Sequence, residues 1–189
     1  LIALHGINTP DYSTIKSESD ISNLPFQDGE PVVIKGLGKD LWHKSDEGAL
    51  HFANYSEKNI KQTFNTIKTN LIGKYDLIEV LICKKISFQS ATALPTEAFI
   101  SIQNDNSYGL TISVGIGGIY TENWALELTA GILMWPVSLI TPKLALDEFK
   151  QHLIGKIWLG KLRQSKPLTT EDIILKLLTQ LWDLAEEIE

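Results

Sequence analysis

Cysteine is nearly absent from this sequence. It occurs once in 189 residues, as Cys83, which excludes an internal disulfide and a cysteine-built zinc site. Excess positive charge is lacking too: 17 Lys and Arg face 23 Asp and Glu, for a formal net charge of −6. Nucleic-acid binders carry a basic face, so this balance argues against a nucleic-acid partner. No apolar run reaches the roughly 18 residues that a membrane span requires. The longest candidate, Leu126–Ile140, is broken by Glu127 and Pro136, so no membrane partner is expected. A basic-then-apolar leader does not open the chain, and a cytoplasmic location is the expectation. Methionine is as rare as cysteine, occurring only at Met134, and residue 1 is leucine. The chain therefore reads as a piece of a longer protein. Repeats and low-complexity stretches are also missing.

What is present is globular composition, 43% hydrophobic and 21% charged, which excludes disorder, collagen and coiled coil. Leu1–Pro10 reads as a helix end with Gly6 as its cap. Asp11–Gly29 reads as a strand plus a short helix or loop. Pro31–Ile34 and Leu77–Cys83 are short β-branched apolar runs, predicted as buried strands. Between them Gly36, Gly38 and Gly48 bracket a polar loop, and Ser56 caps a helix from Glu57 to about Leu71. Ile60, Phe64, Ile67 and Leu71 share one face of that helix. Glu97–Gln103 and Leu110–Val114 flank a turn-rich Asn104–Gly109, which predicts a hairpin. Thr141-Pro142 opens a helix expected to run to about Leu153 and close at Gly155. The last helix is expected to start from a Thr169/Asp172 capping box, with Ile174, Leu177, Leu178, Leu181, Leu184 and Ile188 as its apolar stripe. Interleaved helices and strands with a hairpin indicate an α+β fold.

Several elements could carry chemistry. Lys35 ends a buried strand, where its ammonium suits a phosphate oxygen; the alternative is a snorkelling surface lysine. The loop His43-Lys44-Ser45-Asp46-Glu47-Gly48 combines phosphate donors with a glycine that admits close backbone approach. Asp46 could orient the His43 tautomer. A metal site from His43, Asp46 and His51, or a plain solvated loop, are the other readings. Gly115-x-Gly117-Gly118 follows a strand but lacks the third glycine and the βαβ context of a dinucleotide fingerprint, so a Rossmann site is rejected. Glu97, Asp105, Glu122 and Glu127 lie on or beside the hairpin. They could hold Mg²⁺ near a phosphate site, or simply face solvent. Most of the five tryptophans read as core rather than as a base-stacking platform.

Taken in order, these pieces resemble the ATP-grasp domain of NDP-forming acyl-CoA synthetases, the ADP-forming acetyl-CoA synthetase group related to succinyl-CoA ligase. Leu4-His5-Gly6-Ile7-Asn8-Thr9-Pro10 is similar to the family's opening. The most specific match is Pro31-Val32-Val33-Ile34-Lys35 followed by His43-Lys44-Ser45-Asp46-x-Gly48. Glu97, Asp105 and Gly115–Glu122 are similar to its hairpin and glycine run, and Leu159-Gly160 with Arg163 to its last motif. The resemblance covers nearly the whole chain. It implies a two-lobed ATP-grasp fold, about 1–82 and about 83–189, that binds ATP or ADP with Mg²⁺. It further implies that Lys35, Lys44, Ser45, Asp46, Gly48, Cys83, Glu97, Gly117 and Gly118 contact the nucleotide. Glu122 would ligate the metal, and His43 would carry phosphate as a phosphohistidine. CoA-binding and ligase domains, in the same protein or a partner subunit, and an acyl-CoA substrate would complete the enzyme.

The departures from the pattern keep a second reading open. Ala49 replaces a second glycine, Cys83-Lys84-Lys85 replaces a Gln/Glu pair lining adenine, and Glu127 falls where an arginine is expected. A terminal strand carrying metal ligands would lie beyond Glu189. These changes suit a degenerate ATP-grasp module with a regulatory or assembly role, for example beside a lysine acetyltransferase. A binding domain unrelated to ATP is the third reading.

Overall fold

The computed structural model describes residues 2–41, 43–87, 96–118, 131–163 and 165–188. Glu122, Trp124 and Glu127 lie outside the described residues, as does Trp42. The fold is α+β, and the described chain divides into two compact units. One comprises Pro10–Ser87 and the other Leu1–Thr9 with Phe88–Glu189. This grouping differs from the sequence-based boundary at residues 1–9 and 83–87. The opening residues belong to the second unit because Ile7 packs against its core and His5 Nε2 bonds Glu187 Oε2 at 2.5 Å.

In the first unit four strands form one antiparallel sheet. They are β1 (Tyr12–Ile15), β2 (Pro31–Gly38), β3 (Leu50–Asn54) and β4 (Leu77–Lys84), in the order β1-β4-β2-β3. Helix α1 (Glu57–Leu71) starts where expected, with Ser56 Oγ accepting from Asn59 N at 3.2 Å. Its buried Ile60, Phe64, Ile67 and Leu71 join Val32, Ile34, Val80 and Ile82 in one core. Every other residue of β2 and β4 faces this helix, as the two-residue strand period requires. Strand β3 was not legible in the sequence. Leu50-His51-Phe52-Ala53-Asn54 is short, carries polar His51 and Asn54 on opposite faces and forms an edge, so it lacks a buried apolar signature.

In the second unit β5 (Ala98–Asp105) and β6 (Gly109–Ile116) make the predicted hairpin, and β7 (Ile132–Pro136) pairs with β6. Asp105 Oδ1 closes the hairpin by accepting from Ser107 N at 2.8 Å and Tyr108 N at 3.0 Å. Asp105 is thus a turn former. Helix α2 (Pro142–Gln151) begins at the Thr141 cap but ends earlier than expected, at His152, which takes extended backbone angles. Gly155 does not close it. It lies inside a further short helix, α3 (Leu153–Trp158), where an added Cβ would fall 1.8 Å from the Phe149 carbonyl oxygen. The chain needs glycine there so that α3 can pack onto the end of α2.

Helix α4 (Glu171–Ile188) is capped by Thr170, whose Oγ1 accepts from Ile173 N, one residue later than the expected Thr169. Its buried stripe is Ile174, Leu178, Leu181, Trp182, Leu184 and Ala185; Leu177 is only partly buried and Ile188 is exposed. The stripe drifts because 3.6-residue turns bring Trp182 and Ala185 under the sheet. Trp135 and Trp182 are core residues, with ring centroids 6.1 Å apart. Among the described residues no helix is long and apolar enough to cross a membrane.

Candidate functional site

Residues opposite one another in an antiparallel pair share a face. The register of the four-stranded sheet therefore sorts the candidate residues. Tyr12, Cys83, Val33 and Phe52 form one row across all four strands, away from α1. The next row is Thr14, Leu81, Lys35 and Leu50, about 7 Å along the strands. Lys35 and Cys83 thus lie on one face, the face without the helix. Lys35 is half-buried, and among the described residues no carboxylate pairs with it. Cys83 is buried, while Tyr12 and Phe52 are 62% and 64% exposed at the two edges. Sequence reasoning missed Tyr12 and Phe52. Phe52 depended on the unrecognised β3, and Tyr12 on a register that no local pattern encodes.

The loop before β3 is a chain of tight turns. Glu47 N donates to His43 O, Gly48 N to Ser45 O and Ala49 N to Lys44 O, at 3.2, 3.2 and 2.7 Å. His43, Ser45 and Asp46 are exposed on it. Among the described residues no hydrogen bond joins His43 to Asp46, so Asp46 does not orient the imidazole here. Lys44 Nζ donates to Leu41 O at 3.2 Å, folding its ammonium back on its own loop. Gly48 has φ +62, and an added Cβ would meet Asn70 Nδ2 at 2.5 Å. Its carbonyl accepts from Asn70 Nδ2 and His51 Nε2, which ties the loop to α1. His51 is therefore a loop anchor, and among the described residues no cluster of three or more His, Cys, Asp or Glu could hold a metal. The metal reading of His43, Asp46 and His51 is set aside. Ala49 is fully buried beside Gly36, so its methyl fills core where glycine would leave space.

In the second unit the glycine run has its own physical reasons. A Cβ on Gly117 would lie 2.6 Å from the Ala98 carbonyl carbon, and Gly117 N donates to Glu97 O at 2.9 Å. Gly118 has φ +89, and a Cβ there would lie 2.9 Å from Glu97 Oε2. The structure thus brings Glu97, Gly117 and Gly118 together, with the Glu97 carboxylate exposed. On the face of this sheet away from the helices, β6 presents Thr111, Ser113 and Gly115. Thr111 and Ser113 are buried polar residues that the sequence did not single out. Lysine and arginine are absent from β5, β6 and β7.

The beta subunit of acetate–CoA ligase [ADP-forming] I of Pyrococcus furiosus is 26% identical over 182 residues, 93% of this chain and 73% of that protein. The 4-hydroxybutyrate–CoA ligase [ADP-forming] of Nitrosopumilus maritimus is 26% identical over 125 residues, and the match spans 17% of its length. Among solved structures, a dinucleotide-forming acetyl-coenzyme A synthetase of Ca. Korarchaeum cryptofilum in complex with coenzyme A and Ca-AMPCP superposes with a TM-score of 0.75 at 22% identity. It covers 98% of this chain and 76% of that one. The same synthetase with coenzyme A and Mg-AMPPCP, its phosphohistidine segment pointing towards the nucleotide binding site, gives a TM-score of 0.65 at 19% identity. The model of the ATP-grasp domain matches residues 1–189, so this chain belongs to the ATP-grasp family and is related to ADP-forming acyl-CoA ligases.

Proposed function

We propose that this chain is the nucleotide-binding part of an NDP-forming acyl-CoA synthetase and moves a phosphoryl group between His43 and a nucleoside diphosphate, ADP in the relatives' names. The observation that carries the reading is Lys35, half-buried on the uncovered face of its sheet in a chain that matches the family model throughout. Lys35 supplies a fixed point charge for the phosphates. Ser45 and backbone N–H groups near Gly48 add donors, Lys44 joins them on leaving Leu41 O, and Asp46 lies on the same loop. Cys83 lies one row away, on the base side of the face. Gly117 and Gly118, where the turn packs against Ala98 and Glu97, would add backbone contacts to the nucleotide.

In a phosphohistidine relay the phosphoryl group passes from an acyl phosphate, whose carboxylate leaves, through histidines to His43, whose neutral imidazole attacks the phosphorus as the donor imidazole leaves. A β-phosphate oxygen of the diphosphate then attacks the phosphohistidine, and imidazole leaves. Glu97 and Glu122 are the residues that would hold Mg²⁺. One or two carboxylates suit this ion, which keeps substrate phosphates and water as its other ligands. Bound there, it would offset phosphate charge. The CoA-binding and ligase domains, in the same protein or a partner subunit, would make the acyl phosphate from acyl-CoA. The ligase names of the relatives support this division. A cytoplasmic location goes with it, since acyl-CoA and nucleotides are its substrates.

The test is labelling. Incubation with γ-labelled ATP and Mg²⁺ is expected to put acid-labile, base-stable phosphate on the wild-type chain and none on His43→Ala. Label that persists in His43→Ala would remove His43 from the mechanism. A Mg-nucleotide that leaves Tm unchanged at millimolar concentration would favour a degenerate module instead, because a ligand that binds only the folded state raises Tm.

A further inference from the structure

The helix-free face of the four-stranded sheet carries two lysines, Lys35 and Lys85, with different surroundings from their neighbours. Lys35 occupies the row Thr14, Leu81, Leu50. On the other side of the Tyr12–Cys83–Val33–Phe52 row, the Lys85 ammonium stands 5.4 Å from the centroid of Phe52. Lys84, next in sequence, is neutralised by Glu30 Oε1 at 2.7 Å. Among the described residues no carboxylate pairs with Lys85. The carboxylate that the register puts on this face, Glu79, is opposite Leu37, in the row beyond Lys35 and away from Lys85.

The face therefore runs from a cation, across a strip edged by two exposed aromatic rings, to a second cation. A ligand that matches it has an anionic end for Lys35, a flat middle for the strip, and hydrogen-bond acceptors at the far edge for Lys85. Resting on the reading of this face as a nucleotide site, we infer that it prefers a 6-oxopurine nucleotide, a guanine or hypoxanthine diphosphate, over ADP. Guanine presents O6 and N7 as two adjacent acceptors to a cationic donor. Adenine presents N7 beside an amino donor, which a lysine repels and which, among the described residues, no carboxylate on the base side accepts. The Cys83 thiol is too weak an acceptor to replace such an acid.

Titration calorimetry on the full chain with Mg²⁺ and GDP, IDP or ADP tests this. GDP and IDP are expected to bind about 10-fold more tightly than ADP, the discrimination of one good base-edge contact. In Lys85→Met the three affinities are expected to converge to within about threefold, with the wild-type Tm kept because the side chain is exposed. ADP binding as tightly as GDP overturns the base preference and leaves the nucleotide reading intact. IDP that binds like ADP, or a preference that survives in Lys85→Met, also overturns it by moving the contact away from O6. Failure of all three nucleotides to bind overturns the nucleotide reading and the preference with it.

Discussion

Both sheets bury one face under helices. In the first, Val32, Ile34, Val80 and Ile82 meet α1; in the second, Ile112, Val114, Ile116 and Trp135 share a core with α2 and α4. Their other faces diverge. The first carries Lys35 and Lys85 around an aromatic strip. The second has small or polar Thr111, Ser113 and Gly115 on its central strand, no cation on its strands, and the Glu97 carboxylate at its glycine turn. The same strand-and-helix packing stabilises both units, so the covered faces say little about function. The faces turned away from the helices carry the chemical difference.

The largest expected effect tests whether inward and outward faces are assigned correctly. Trp135→Ala should cost about 3–5 kcal/mol, because a fully buried ring is lost and Glu148 Oε2 loses the Trp135 Nε1–H donor at 2.8 Å. Met134→Ala, one residue away and 52% exposed, should stay within about 0.5 kcal/mol. Denaturant titration of the two variants measures both, and equal losses would break the register of β7.

Lys35→Met comes next. It should weaken Mg-nucleotide binding by about 10- to 100-fold, the worth of a charge-assisted contact, with Tm little changed. Ser113→Ala on the helix-free face of the other sheet should leave affinity within about threefold, since one neutral hydrogen bond contributes about 1 kcal/mol or less. Calorimetry that found the reverse order would move the phosphate site to the second sheet.

The helix caps compare the units on a smaller scale. Ser56→Ala and Thr141→Ala should each cost about 1 kcal/mol, since Asn59 N and Leu144 N lose their acceptors. Unfolding curves for the two variants should shift alike.

The smallest effect is electrostatic. Donation from Lys84, then from Gln27 N–H, holds Glu30 below the ordinary carboxylate range, and the same bond raises Lys84. In the second unit, Lys161 first and Lys150 after it lower Glu171. A depressed carboxylate contributes stability above its ordinary pKa and loses it as pH falls through the depressed value. A raised lysine contributes below its ordinary pKa and loses it as pH rises through the raised one. Glu30→Gln and Glu171→Gln should therefore each flatten the acid limb of a Tm–pH profile slightly, less at high salt because both pairs reach solvent. A steeper acid limb in either variant would contradict the pairing.

Much of the fold was legible. Apolar period and a serine cap located α1 to the residue, and the hairpin followed from its turn. Strand β3 was not, because an edge needs no continuous apolar run, and β7 was not, because Ile132–Pro136 sits inside a longer apolar stretch with no alternation to mark a strand. Gly155 misled, because a glycine at a helix contact has the same local signature as one at a helix end. Of the proposed site, Lys35 and His43 stand out in the sequence as residue types at a fixed spacing. The partners Lys44–Leu41, His51–Gly48 and Lys85–Phe52 were not, since hydrogen-bond and ring contacts depend on where the chain turns.

By itself the sequence determined the α+β class, the helix cores and the order of motifs that marks the family. These follow from local periodicity, capping and spacing, which a chain carries along its length. Only the tertiary structure decided which residues share the uncovered face. It set Cys83 opposite Val33 and a row from Lys35, turned Asp105 into a hairpin former, and left Lys85 over Phe52 while Lys84 paired with Glu30. Strand register makes those choices, and register is set by packing between segments distant in sequence.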